Sequence, residues 1–224
     1  MRLQLGTKVH CTDEEFGELS DIVIDPIGRN VTHLVVQPQH QHHLARLVPI
    51  ALANAGDGPD AAITLSCSAD HVRQLEAVHE FAYLRMGDAP VEDPNWEVGV
   101  EDVLALPYFD SSGFVISPSL DPHYGVTYDR IPKGEVEIRR DSGVVSKDDH
   151  DIGRIDGFLV DGEDQITHMV LRRGHLWGER EITVPIGAVA RVMTDAVTLS
   201  LTREEVGDLP AVPVRRWPLR RGTH

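Results

Sequence analysis

Short stretches that alternate apolar and polar residues dominate both ends of the chain. Near the N-terminal end these stretches are Glu18–Ile24, Thr32–Gln37, Ala45–Pro49 and Ile63–Ser66. They are rich in β-branched residues and are separated by Gly, Pro, Asn and Asp, as is typical of short antiparallel strands joined by turns. The pattern returns toward the C-terminal end in Arg154–Val160, Ile166–Arg172, Glu179–Pro185 and Ala196–Leu201. The chain is therefore predicted to contain two mainly β units.

The two units are copies of one sequence. An ungapped alignment of Val9–Asp25 with Val145–Asp161 has identities at Val9/Val145, Asp13/Asp149, Gly17/Gly153 and Asp25/Asp161. The match continues in Thr32–Val36 with Thr167–Leu171, Pro49–Ile50 with Pro185–Ile186, and Thr64–Ser66 with Thr198–Ser200. A segment of alternating apolar and polar residues before each copy supplies one more strand, with Leu3 and Leu5 in the first copy and Val136 and Ile138 in the second. Each copy is predicted to be a small closed barrel of antiparallel strands, because closure removes exposed sheet edges.

A helix is predicted after each barrel, long in the first copy and short in the second. Ser68–Met86 carries a stripe of apolar residues at helical spacing: Val72, Leu75, Val78, Ala82 and Met86. In the second copy Thr202–Glu205 has the sequence of a capping box, and Pro210 ends the helix. Because the long helix has more apolar surface than one barrel needs, the surplus is expected to pack on the second barrel, the linker or another subunit. Helix 68–86 is therefore a candidate interface for a homo-oligomer.

These elements divide the chain into four parts. They are a first barrel with its helix (1–86), a linker (87–133), a second barrel (134–210) and a basic tail (211–224). The linker is rich in proline and holds six of the chain's aromatic residues. Since a disordered linker would be poor in aromatic residues, this one is expected to pack on the barrels or on a partner.

Charge and composition exclude several functions. The formal net charge of −15 repels a phosphate backbone and argues against general nucleic-acid binding. No apolar run is long enough for a transmembrane segment, and the N-terminal residues lack the apolar core of a signal peptide, so we expect a cytoplasmic protein. The sequence has no Gly-rich phosphate loop, nucleophile elbow or zinc-hydrolase helix motif, so neither an enzyme nor a cofactor is predicted.

Aromatic and basic residues outside the barrels are the candidates for binding a protein partner. Side chains of these types bury a large area at modest entropic cost and often dominate interfaces. The candidates are Trp96, Tyr108 and Phe109 in the linker and Arg215, Arg216 and Trp217 in the tail.

A histidine-rich hairpin in the first copy is the alternative candidate site. It contains His40, His42 and His43, and in an extended segment the first two point to the same side. Two imidazoles can bind a borderline metal ion, whereas solvated loop histidines are the simpler interpretation. The corresponding hairpin of the second copy does not repeat the cluster.

The repeated pattern resembles the PRC-barrel domain. The shared features are a Gly-containing turn, an apolar strand that ends in Asp, a Thr-His-aliphatic strand, a strand that ends in Val-Pro-Ile, and Thr-Leu-Ser. They cover about Met1–Leu84 and Ile131–Leu209. The resemblance implies compact β-barrels that act as adaptors, as in the H subunit of photosynthetic reaction centres and the ribosome maturation factor. The sequence predicts neither the transmembrane helix of the former nor the N-terminal domain of the latter, so neither role is transferred.

The function predicted from the sequence is that of a non-enzymatic protein-interaction or adaptor module built from tandem PRC barrels. The resemblance implies no catalytic residues. The alternative is a ligand- or metal-sensing barrel protein that uses the histidine-rich hairpin.

Overall fold

Strands make up most of the structure, as the hydrophobic pattern predicts. The computed structural model describes residues 1–38, 44–55, 62–85, 95–105, 123–173, 180–193, 195–209 and 211–212. The first repeat contains β1 (Arg2–Gln4), β2 (Lys8–His10), β3 (Glu15–Asp25), β4 (Asn30–Pro38), β5 (Arg46–Pro49), β6 (Ala53–Ala55), β7 (Ile63–Leu65) and helix α1 (Ala69–Gln74). The middle of the chain adds β8 (His79–Arg85), β9 (Trp96–Ala105) and β10 (His123–Pro132). The second repeat contains β11 (Val136–Arg139), β12 (Gly143–Val145), β13 (Asp151–Val160), β14 (Ile166–Arg173), β15 (Arg180–Pro185), β16 (Val189–Met193), β17 (Ala196–Leu199), helix α2 (Arg203–Gly207) and β18 (Ala211–Val212).

The strands form three sheets. The first repeat has the order β5-β4-β3-β2-β7-β6, and the second has the order β16-β17-β12-β13-β14-β15-β18. The middle strands form a separate sheet in the order β8-β10-β9. Among the described strands no sheet closes on itself, so the mainly β class is confirmed and the predicted barrel closure is not.

The two repeats exchange their leading strands. β1 pairs with β13 of the second repeat, which places Leu3 opposite Phe158. β11 pairs with β3 of the first repeat, which places Ile138 opposite Ile22. The predicted lead strands are therefore present, but each one completes the sheet of the other repeat.

The exchange is reciprocal, so a pseudo-twofold axis relates the repeats. The turn after β3 meets the turn after β13 through two backbone hydrogen bonds. The Val31 amide donates to the Asp164 carbonyl over 3.1 Å, and the Ile166 amide donates to the Arg29 carbonyl over 2.9 Å. The two hydrogen bonds are equivalent under the pseudo-symmetry, because Val31 and Ile166 occupy corresponding positions in the two repeats.

Strand pairing corrects the alignment of the two repeats in the segments that precede Gly17 and Gly153. Gly17 pairs with Val9, and Gly153 pairs with Val144. The counterpart of Val9 is thus Val144 rather than Val145, and both of these valines are fully buried. One extra residue in the turn before β13 accounts for the shift, so the alignment there needs a gap.

An aspartate holds the first turn of the helix in each repeat. The Asp13 carboxylate accepts a hydrogen bond from the Ala69 amide over 2.9 Å, and the Asp148 carboxylate accepts one from the Arg203 amide over 3.0 Å. Asp148, not Asp149, is therefore the counterpart of Asp13.

The predicted capping box at the start of α2 is confirmed. In the described part of the chain neither helix has the length and apolar character needed to cross a bilayer.

The first helix is short, which corrects the helix predicted for Ser68–Met86. It ends at Gln74, and Leu75 is already extended, with φ −68° and ψ 165°. The next residues bond to β5 instead of continuing the helix: the Leu47 amide donates to the Glu76 carbonyl over 2.9 Å, and the Val78 amide donates to the Ala45 carbonyl over 3.2 Å. Strand β8 follows, so the oligomer interface predicted on a long helix loses its structural basis.

The middle sheet is attached to the outer face of the first repeat. A small apolar cluster there contains Val23, Val35, Ala45, Leu47 and Val78, with Trp96 and Ile131 packed against it. The Arg130 guanidinium lies 5.1 Å from the centre of the Trp96 ring, within the range of a cation–π contact. Part of the predicted linker therefore packs on its own chain.

One apolar core spans both repeats. Leu3 and Ile138, from the exchanged strands, are among its buried members, together with residues of both repeat sheets and Val206 of α2. Both side chains are at most 1% exposed. The repeats therefore share a core rather than forming two independent ones.

We predict that Leu3→Ala and Ile138→Ala each lower the free energy of unfolding by about 2–5 kcal/mol, because each leaves a cavity in the shared core. Urea denaturation followed by circular dichroism measures the change, and a single transition is expected in both variants. Ile27→Ala is the control, since Ile27 is 91% exposed. Two separate transitions in the wild-type chain would contradict a shared core.

Candidate functional site

The structure describes one of the six predicted partner-binding residues. Trp96 is half-buried between Arg130 and the apolar cluster on the first repeat. Its ring therefore makes contacts within the chain, and its predicted role in partner binding stays a prediction. The other five lie outside the described residues: Tyr108, Phe109, Arg215, Arg216 and Trp217.

The histidine-rich hairpin, with His40, His42 and His43, also lies outside the described residues. Within the residues that are described, no group of three or more His, Cys, Asp and Glu side chains is placed to hold a metal ion. The matching strand histidines His33 and His168 lie opposite Pro49 and Pro185, at the same point of each sheet. The metal-sensing alternative therefore stays a prediction about the hairpin.

The two cysteines lie close together beside the first helix. Both are free and partly buried, and the Thr12 amide donates to the Cys67 carbonyl over 3.0 Å. Burial raises the pKa of the Cys11 thiol to about 11, and Cys67, Asp13 and Glu14 add to the rise. The Cys11 thiol therefore stays protonated at neutral pH, which disfavours a role as a nucleophile.

An ionic cluster fixes the exchanged strand β1 on the second repeat. The Arg2 guanidinium lies 3.0 Å from Glu181 and 3.8 Å from Asp156, and Arg172 lies 3.7 Å from the other oxygen of Asp156. Burial raises the pKa of the Asp156 carboxyl, and Glu181 adds to this rise, while the nearby arginines oppose it. Each charged group in the cluster has an oppositely charged group nearby. We therefore assign the cluster a structural role, which is to hold β1 on the second repeat.

A pocket lies where the two repeats meet. It is open to solvent and holds about 100 Å³ of space. Its wall from the first repeat comes from the end of β3 and the turn after it. Its wall from the second repeat comes from β14, the turn after β15 and β16. The lining residues are Ile24, Pro26, Arg29, Ile166, Ile186, Val189, Ala190, Arg191 and Val192. We call this feature the inter-repeat pocket.

Arg29 is held in the turn after β3 by backbone bonds from both repeats. Its amide donates to the Asp25 carbonyl over 2.8 Å, and its carbonyl accepts from the Ile166 amide over 2.9 Å. Its φ is 57°, in the left-handed region that costs a side-chain-bearing residue about 1–2 kcal/mol. Glycine or asparagine would suit this backbone better, so an arginine at this position costs stability.

Arg191 is placed by an irregularity in the pairing of β16 with β17. Val189 lies opposite Leu199, whereas Arg191 lies opposite Thr198, so Ala190 is an extra residue on β16. Such a bulge changes the direction of the side chains that follow it. Arg191 and Ala190 are both exposed and both line the inter-repeat pocket.

Two exposed apolar side chains are near the lining residues of the pocket in the sequence. Ile27, in the same turn as Arg29, is 91% exposed, and Met193, at the end of β16, is 45% exposed. They are the exposed large apolar side chains of the described chain. The pocket thus combines an apolar floor with two arginines, and Ile27 and Met193 lie one residue from the lining residues Pro26 and Val192.

The pseudo-symmetry allows the residues at the pocket to be compared with their counterparts on the equivalent surface. The Ile27 amide bonds to the Asp25 carboxylate, as the Glu163 amide bonds to the Asp161 carboxylate, so Glu163 is the counterpart of Ile27. Asp164 is the counterpart of Arg29, because each precedes one residue of the Asn30–Gln165 bridge, and both have positive φ. Asn54 is the counterpart of Arg191, because it lies opposite Thr64 as Arg191 lies opposite Thr198. The corresponding surface is therefore acidic and polar where the inter-repeat pocket is basic and apolar.

No protein-family model matches the chain, and a search of curated protein sequences finds no significant match.

We predict that Arg29→Gly raises the free energy of unfolding by about 0.5–1 kcal/mol. Placing glycine instead of arginine on the left-handed backbone stabilises the folded state by about 1–2 kcal/mol. The greater conformational freedom of glycine in the unfolded chain offsets part of this stabilisation. Arg191→Gly is the matched control: it removes the same side chain from a strand, where glycine is unfavourable, and should destabilise the fold. Equal destabilisation by both variants in chemical denaturation would contradict strain at Arg29.

Proposed function

We propose that the protein is a non-enzymatic adaptor, a protein-interaction module built from two PRC-type β repeats, and that the inter-repeat pocket is its binding site. The observation that carries the proposal is the difference between the two pseudo-symmetric surfaces. Exposed apolar and basic side chains occur together at the pocket, whereas Glu163, Asp164 and Asn54 take the corresponding places.

The size of the pocket supports a protein ligand. Its space of about 100 Å³ is well below the roughly 300–1,000 Å³ of typical small-molecule sites. It is enough for one aliphatic side chain, given that a water molecule takes up roughly 30 Å³ in the liquid. A partner that inserts one side chain and contacts the surrounding rim fits this geometry better than a cofactor does.

The exposure of Ile27 and the backbone strain at Arg29 also support a binding role for this turn. An isoleucine that is 91% exposed contributes little to the core, and an arginine with φ 57° costs stability. The counterpart Asp164 has a similar φ, so the turn sets the backbone, and what differs here is an arginine in place of the better-suited aspartate. Both residues lie in one turn beside the pocket, so a binding role accounts for the two together.

Site-specific photo-cross-linking tests the proposal. With p-benzoyl-phenylalanine in place of Ile27, irradiation in a native cell extract should give a discrete adduct with a second protein, competed by excess unlabelled chain. The matched control carries the same group in place of Glu163, the pseudo-symmetric position, and should not give this adduct. The proposal is wrong if both positions give the same adducts, or if neither position gives one.

A further inference from the structure

We infer that the inter-repeat pocket binds an acidic peptide segment, with a carboxylate between Arg29 and Arg191 and a neighbouring aliphatic or aromatic side chain in the apolar floor. This inference rests on the proposed function and specifies the chemistry of the partner. It follows from the charges, the apolar lining and the pseudo-symmetric comparison of the two surfaces.

The charge argument begins with the two guanidinium groups. Arg29 and Arg191 are exposed, and neither has an ion pair or a side-chain hydrogen bond to any other described residue. By contrast, several other described arginines pair with carboxylates, as Arg73 does with Asp70 and Glu14. Two unpaired guanidinium groups at one pocket are complementary to a carboxylate, which each can bind through two N–H donors.

The net charge of −15 does not oppose such local binding. At physiological ionic strength charges more than about 8 Å apart are largely screened, so the arginines at the pocket dominate the energy of a bound carboxylate. The same net charge disfavours a nucleic acid. A nucleic acid gains its affinity from several phosphate contacts at once, and two arginines supply few of them.

The apolar floor supplies the second part of the specificity. Ile24 and Ile166 come from different repeats and are at most 3% exposed, so they form a fixed base. Ile186, Val189 and Val192 line the remaining wall and are partly exposed. The floor has the size of one side chain, and burial of such a side chain favours a segment with a large apolar residue beside its carboxylate.

A display library of random linear peptides, selected against the full chain, tests the inference. The enriched peptides should share an Asp or Glu next to a Leu, Ile, Val or Phe. A representative peptide, fluorescently labelled, is then titrated with the wild-type chain and with the variant Arg29→Glu/Arg191→Glu. Binding should weaken by roughly tenfold or more in this variant, and also as NaCl is added, because the arginine contacts are electrostatic.

The matched control is Lys133→Glu/Arg203→Glu, which changes the net charge equally at two exposed residues that do not line the pocket. It should leave the affinity within roughly twofold of wild type, since distant exposed charges are screened. If the first variant is poorly folded by circular dichroism, Arg29→Gly/Arg191→Gln replaces it, because both changes remove the cations without adding a negative charge.

Three results would overturn the inference: enriched peptides without acidic residues, equal affinity in the pocket and control variants, or displacement of the peptide by single-stranded DNA. A cross-link from position 27 to the same chain would also overturn it, because the occupant would then be intramolecular. If the cross-link to a second protein persists at full yield in Arg29→Glu/Arg191→Glu, the adaptor proposal stands and the acidic segment is wrong. If position 27 gives no adduct with any protein, the adaptor proposal itself fails.

Discussion

Backbone hydrogen bonding between each leading strand and the opposite repeat is the constraint on which the rest of the structure depends. The Met1 amino group donates to the Val160 carbonyl over 2.8 Å, and the Val160 amide donates back to Met1 over 2.9 Å. A strand as short as β1 has no stability alone, and an unpaired buried amide or carbonyl costs about 1–3 kcal/mol. Removing β1 would leave such groups along β13 and expose the shared core. Each repeat therefore needs residues from the other to be complete.

The same constraint creates the candidate site. Reciprocal exchange brings the turn after β3 against the second repeat, and the bond from Ile166 to Arg29 fixes the arginine backbone at the junction. Residues that maintain the framework are alike in the two repeats, such as the Thr32 and Thr167 hydroxyls, which donate to carbonyls of the preceding strand. Residues exposed around the junction differ in charge. Under the proposed function, the pseudo-symmetric scaffold carries one binding surface rather than two.

Local patterns predicted the elements that depend on local interactions. The repeated strands and the capping box of α2 follow from alternation and from side-chain spacing. The strand exchange was not predictable from local patterns. The alternation around Leu3 and Ile138 would bury the same face of each leading strand whichever repeat that strand joined. The long helix was wrong because pairing with β5 and β10 outweighs an apolar spacing that also fits a helix. A signal for the site was present, however, in the unlike residues at equivalent turn positions, such as Ile27 and Glu163.

A disulfide trap tests the strand exchange most directly. With Cys11 and Cys67 replaced by Ala, the double variant Arg2→Cys/Leu159→Cys joins residues that lie opposite each other without exchanging backbone hydrogen bonds, a spacing that permits a disulfide. The alternative Arg2→Cys/Val23→Cys joins β1 to its own repeat, because Val23 lies opposite Glu137, the counterpart of Arg2. Mild oxidation followed by mass spectrometry should show a disulfide in the first variant and free thiols in the second. A disulfide in the second variant and none in the first would show that β1 stays in its own repeat and would contradict the exchange.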